Sequence, residues 1–134
     1  MYKFQEYSSL YIYRNNDATY PAHFHTHCEI MYVLDGEVKV SVDGVDYVAK
    51  RDDAIFIAPH QIHSFKSSHL ISIYVIFVEL SVFSDYTERM NDSIPKSPIV
   101  HMDSPKETEV CRSVLEYVWQ LYGTPNALSG INRK

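Results

Sequence analysis

The 134-residue chain is long enough for one domain with a buried core, and its formal charge of −5 excludes a large nucleic-acid footprint, because phosphate binding needs clustered Lys and Arg. The longest apolar run, residues 71–78, is too short to cross a bilayer, and the opening MYKFQEYSS lacks the apolar region of a signal peptide, so cytoplasmic residence is expected. Cys28 and Cys111 share no metal-type spacing and read as thiols kept in a reducing compartment.

From residue 2 to residue 79 nearly every segment reads as strand. HFHTHCEIMYVLDG, His23 to Gly36, alternates from one end to the other, so His23, His25, His27, Glu29, Met31 and Val33 are expected on one face of a single strand. VKVSV follows, with Asp-Gly at 35–36 and at 43–44 marking turns on either side of it. Tyr47-Val48-Ala49 is a short strand, residues 50–53 a charged turn, and AIFIAP a strand ended by Pro59. IHSFKS comes next, and LISIYVIFVEL is the most apolar strand, expected to be central and covered on both faces. Glu79 is expected at that strand's exposed end. Short strands at this rhythm indicate a sandwich or barrel.

Residues 81–103, with Pro95 and Pro98, read as loop or irregular crossover. A helix is expected over residues 105–122, with Ser104 as cap, Pro105 at the first position, Glu107 completing a capping box, and Gly123 and Pro125 as stops. Val110, Val114, Tyr117, Val118 and Leu121 form its apolar row, with Cys111, Leu115, Trp119 and Tyr122 beside it and Arg112 and Glu116 on the polar side. So wide an arc fits either a deeply buried helix or one that shares itself between the barrel and a partner chain.

Alternating imidazoles with a carboxylate further along one face can chelate a divalent ion, form a polar pocket for a small ligand, or lie at a solvated rim. A second strand should complete either kind of site, and PHQIHSF offers His63. His27 shares the face and reads as a rim or hydrogen-bonded structural residue, while His60, His69 and His101 read as surface residues. Buried without partners, such groups cost about 1–3 kcal/mol each, so water, ligand or metal must compensate them.

His23, His25, Glu29 and Gly36, spaced as they are, resemble the first motif of cupins, and DDAIFIAPHQIH resembles the second in the form found in sensor domains of AraC-type transcription regulators. Asp52 stands where that family usually has Gly, Asp53 matches its Asp, and Pro59 and His63 match the rest. The Asn that often follows the second cupin histidine is absent, Lys66 lying in its place. The resemblance implies a mainly β cupin, or jelly-roll, barrel with a C-terminal α-helix. It divides the chain into a sensor barrel with its crossover over residues 1–103 and a helical linking part over residues 104–134.

By that resemblance the domain senses a small polar effector, a carbohydrate first among the classes, at His23, His25, Glu29 and His63. It does so without catalysis, and a helix-turn-helix DNA-binding half lies outside this chain. The same four residues are the candidate ligands of a divalent metal, which would fit the alternative of a stand-alone metal-dependent cupin isomerase or dioxygenase. Homodimerisation is expected through the row Val110, Val114, Val118 and Leu121, flanked by Leu115, Trp119 and Tyr122.

Overall fold

The computed structural model describes residues 10–24, 26–67, 70–78 and 97–123. Its described strands form two antiparallel sheets. β1 (Leu10–Asn15), β8 (Ser72–Val78), β3 (Cys28–Asp35), β6 (Asp53–Ile57) and β9 (Ile99–His101) pair in the order β1-β8-β3-β6-β9. β2 (Tyr20–His23), β7 (His63–Ser67), β4 (Val38–Val42) and β5 (Val45–Ala49) pair in the order β2-β7-β4-β5.

Period-two alternation builds the interior. Met31, Val33, Ile55, Ile73 and Val75 of the first sheet meet Val38, Val40, Val42 and Phe65 of the second in one buried cluster. The opposite face of the five-stranded sheet carries Ile12, Tyr32 and Tyr74, and on these lies the helix α1 (Pro105–Tyr122), with Leu115 at the centre of the contact. This is the cupin-type jelly roll with a C-terminal helix that the residues lead one to expect. β8 is covered on both faces, by the barrel interior and by α1.

The two Asp-Gly dipeptides differ in use. Asp43 (φ +49) and Gly44 (φ +86) make a two-residue hairpin turn joining β4 to β5, whose positive φ at both positions suits a type I′ turn. Gly36 (φ +95) instead carries the chain from β3 in one sheet to β4 in the other, and a Cβ there would lie 2.5 Å from the Leu70 carbonyl oxygen. The residue at 36 is therefore glycine for two independent reasons.

Three expectations are corrected. Residues 23–33 are not one strand: β2 ends at His23 and β3 begins at Cys28 in the other sheet. The alternation ran on between the two strands because the sequence there keeps an apolar–polar rhythm while Phe24 is exposed and His27 buried edge-on against Phe77. Within the expected crossover 81–103 lies a ninth strand, β9, paired with β6. The expected placing of Glu79 and His69 lies outside the described residues.

The third correction concerns α1. Ser104 Oγ accepts from Glu107 N, and Glu107 reaches back to Asp103 N rather than to the cap residue itself. Gly123 closes the helix, its N–H bonding Trp119 O, and a Cβ there would run into the Trp119 ring. Leu115 is buried, and Cys111, Val118 and Trp119 pack beside it. Val110, Val114, Tyr117, Leu121 and Tyr122 stay exposed, so the flank rather than the expected main row faces the barrel. Arg112 and Glu116, expected on the solvated side, bond the barrel through Asp52 and Tyr74.

Candidate functional site

β2 and β3 lie in opposite sheets, and the end of one comes close to the start of the other. His23, the last residue of β2, pairs directly with His63, the first of β7, and their rings lie 4.2 Å apart. Glu29 projects from β3 of the facing sheet, with Oε1 3.4 Å from His63 Nε2. The ligand-capable atoms of His23, Glu29 and His63 all fall within 4.8 Å of one another. Of the four residues expected at the site the structure brings these three together, and His25 lies outside the described residues.

Both imidazoles are held in the same way. His23 Nδ1 stands 2.8 Å from the Pro21 carbonyl oxygen, and His63 Nδ1 stands 2.8 Å from the Gln61 carbonyl oxygen. A carbonyl oxygen only accepts, so each Nδ1 carries the proton. In the neutral ring Nε2 is then the nitrogen that carries the lone pair, the one able to accept a hydrogen bond or ligate a metal, and on His63 it stands beside Glu29. Each anchor is two residues upstream of its histidine, so the local backbone sets the tautomer. His63 and Glu29 are buried while His23 is half-buried, which puts His23 toward solvent.

His63 stands beside His23 and Glu29, which line a cavity of about 80 Å³ between the sheets. Its polar rim is built by Asn15, Asp17, Thr19 and Tyr20 with His23 and Glu29, and its apolar floor includes Met31, Phe65, Ile73, Val75 and Phe77. The rim segment is tied down: Asp17 Oδ1 accepts from Thr19 N at 2.9 Å and from Ser67 Oγ at 2.9 Å. The Thr19 amide, then the Ser67 hydroxyl, hold the Asp17 carboxyl below its ordinary range. Tyr20 meets the His23 ring edge-on at 4.5 Å. These rim residues were missed in the sequence. Their signal was the alternation Tyr11, Tyr13, Asn15, which puts Tyr13 and Asn15 on the cavity side of β1.

The motif-like residues 52 and 53 have separate duties outside the cavity. Residues 50–53 form a turn closed by Asp53 N to Lys50 O, and Asp52 holds its third position at φ +66, where a glycine is the easier residue. The Asp52 carboxylate accepts from Tyr32 Oη at 2.7 Å and from Arg112 Nε at 2.8 Å. Burial pushes its pKa up, but the hydrogen bonds from Arg112 and Tyr32 and the Arg112 charge outweigh this and hold it below the ordinary value. Asp53 is buried; Oδ2 accepts from Lys50 N at 2.8 Å and Oδ1 meets His101 Nδ1 at 2.6 Å. It thereby fixes both the turn and the strand β9.

The family model of the AraC-like ligand binding domain matches residues 7–129, nearly the whole chain and both of the motifs just described. The chain belongs to that family. No curated protein matches this AraC-like domain. Among solved structures it is similar to apo ToxT from Vibrio cholerae, with TM-score 0.56 and 13% identity over 82% of this chain and 48% of that one. The cupin domain of Cnp3 from Schizosaccharomyces pombe gives TM-score 0.51 and 16% identity over 66% of each chain. An RmlC-like cupin from Shewanella frigidimarina gives 0.48 and 29% identity, over 52% of this chain and 66% of that one. The first two likenesses show the fold. The AraC-like domain spans about half the length of ToxT and just under two thirds of that RmlC-like cupin.

Proposed function

We propose that this domain senses a small polar effector, a carbohydrate, held between the rim and the floor of the barrel cavity. The observation that carries the reading is the gathering of His23 and His63, each anchored through Nδ1 on a main-chain carbonyl, with the Glu29 carboxylate beside a cavity with an aromatic floor. Two acceptors and a carboxylate suit the hydroxyls of a sugar, and Phe65 and Phe77 suit its C–H face. ToxT is an AraC-family regulator. By analogy with it, the barrel over residues 1–103 is the sensor, and residues 104–134 link it to a helix-turn-helix DNA-binding domain. The whole protein acts as a transcription regulator in the cytoplasm rather than as an enzyme. Among the described residues no helix is long and apolar enough to cross a membrane.

A homodimer through α1 belongs to the same reading. Leu115, Val118 and Trp119 are used against the barrel, which leaves Val110, Val114, Leu121 and Tyr122 exposed for a partner.

The donor set itself favours a second reading. Two imidazole nitrogens and a carboxylate fit a divalent ion such as zinc, iron, nickel or manganese, with His23, Glu29 and His63 as ligands and His25 as a fourth. Such an ion would supply Lewis acidity toward a bound hydroxyl or carbonyl, which is what a metal-dependent cupin enzyme requires.

Metal analysis after purification without chelator, together with calorimetry against neutral monosaccharides and sugar acids, separates the two. The sensor reading expects metal below stoichiometry and at least one sugar bound, with His63→Ala weakening it tenfold or more while the fold stays intact. Stoichiometric metal with turnover of a sugar would establish the enzyme instead. A sugar bound equally well by the His63→Ala variant rules out the pocket.

A further inference from the structure

His63 Nε2 is useful only while Nδ1 is protonated, and Nδ1 is protonated because one carbonyl oxygen, that of Gln61, lies 2.8 Å away. That carbonyl sits in a loop, residues 58–62, between β6 and β7. Two contacts fix the loop on itself: Ala58 N donates to Gln61 Oε1 at 2.8 Å, and Gln61 N to Ala58 O at 3.3 Å. Among the described residues, the other hydrogen bonds that hold residues 58–62 in place come from Asp43, the first residue of the β4–β5 turn.

Asp43 makes three such contacts. Its N–H donates to Ile62 O at 2.8 Å, its Oδ1 accepts from Ile62 N at 3.0 Å, and its Oδ2 lies 3.5 Å from Gln61 Nε2. The ladder of β4 with β7 ends at Val42 opposite His63, so this exchange extends the pairing by one residue, a carboxylate replacing the backbone acceptor that the turn has carried away. Asp43 can do this because its φ of +49 aims side chain and amide together at residues 61–62. Aspartate tolerates that backbone better than most residues.

We propose that Asp43 is a positioning residue for the site: by locking Gln61 and Ile62 it holds the Gln61 carbonyl under His63 Nδ1 and so keeps the ring proton on Nδ1. The inference rests on the reading of His63 as a ligand-binding residue, but its test does not require any ligand. His23 serves as internal control, since its anchor, the Pro21 carbonyl, belongs to β2 and touches neither Asp43 nor Gln61 in the bonds described.

Long-range proton–nitrogen correlation spectra of the imidazoles read the tautomer directly. In the unmodified chain His23 and His63 should both show the Nδ1–H pattern. Asp43→Gly keeps a turn-compatible backbone and removes only the carboxylate; it should move His63 to a mixture of tautomers while His23 stays unchanged. Asp43→Asn, which retains an acceptor for Ile62 N and suits the same φ, should restore the Nδ1–H pattern. Gln61→Ala, which removes the loop's own clasp and the contact to Asp43, should repeat the Asp43→Gly result, and it carries the test if Asp43→Gly does not fold. A His63 pattern unchanged in both Asp43→Gly and Gln61→Ala overturns the proposal. So does a shift of His23 equal to that of His63, which would mean general loosening of the barrel.

Discussion

Arg112 Nε on the second turn of α1 lies 2.8 Å from the Asp52 carboxylate on the β5–β6 turn, and the same guanidinium bonds the Leu34 carbonyl at the end of β3. One side chain thus ties the helix to two elements of the barrel. The pair is partly exposed, at 33% and 21%, so a surface-like discount applies to its Coulomb attraction, while its hydrogen bonds are charge-assisted. Arg112→Met should therefore loosen α1 at a cost of about 1–2 kcal/mol. A double-mutant cycle with Asp52→Asn, measured by urea unfolding, should return a coupling of about 1 kcal/mol. A coupling near zero would remove the pair from the account of how α1 is seated.

Asp52→Gly separates the two duties of residue 52. Glycine relieves the left-handed backbone at φ +66, worth roughly 1 kcal/mol, but surrenders the bonds from Tyr32 and Arg112. The expected outcome is a barrel with nearly unchanged midpoint and faster amide exchange confined to α1. Uniform protection across barrel and helix would contradict it.

The same carboxylate makes helix seating sensitive to acid. Its folded pKa is lowered, so its contribution is present above the unfolded aspartate value of about 4 and is lost as pH falls through the folded value. The chain's single tryptophan, Trp119, lies 6.5 Å from Tyr74 across the helix–sheet contact and reports seating by fluorescence. Acidification from pH 5 should change its emission in the unmodified chain. The Asp52→Asn variant should show the unseated signal at pH 5 already and a flatter profile below.

The exposed and buried sides of α1 should answer differently to the same substitution. Val114→Glu, at a position 54% exposed, should leave the circular dichroism spectrum intact and shift sedimentation toward monomer. Leu115→Glu should instead undock the helix, since it removes a buried aliphatic contact worth about 1.5–3 kcal/mol and buries a charge. A Val114→Glu chain that sediments like the unmodified one would move the dimer interface off α1.

The two turn glycines rank in the same manner. Gly44→Ala meets nothing within 4 Å and should cost only the strain of φ +86, about 1 kcal/mol. Gly36→Ala adds a 2.5 Å approach to the Leu70 carbonyl and should cost at least twice as much in thermal unfolding.

Much of the fold was legible because it rests on local rules. Alternation marked β4, Pro59 marked the end of the β6 segment, a long apolar run marked β8, Asp43-Gly44 marked a hairpin, and Ser104, Pro105 and Glu107 marked the start of α1. What escaped depended on distant partners. Alternation continues smoothly through residues 24–27, so nothing local tells one strand from two in different sheets. β9 is three residues long and exists through its pairing with β6. The position of Arg112 on the helix looks solvated until Asp52 is brought to it from sixty residues away in the sequence. At the site, His23, Glu29 and His63 were readable as residue types at motif spacing. Their tautomers were not, because these depend on where two main-chain carbonyls fall.

β3 presents Glu29 and Met31 to the cavity and Tyr32 and Leu34 to the side where α1 sits. Under the proposed sensor function, recognition and relay are therefore interleaved on one strand, residue by residue. Ligand preference can drift by exchanging the inward side chains while the outward ones stay fixed. A single inserted or deleted residue within the strand would exchange the two sets, turning the helix seat into the cavity and the carboxylate out of it. The lineage of such sensors can therefore change what they detect along this strand by substitution, whereas changes of length are confined to the segments around it.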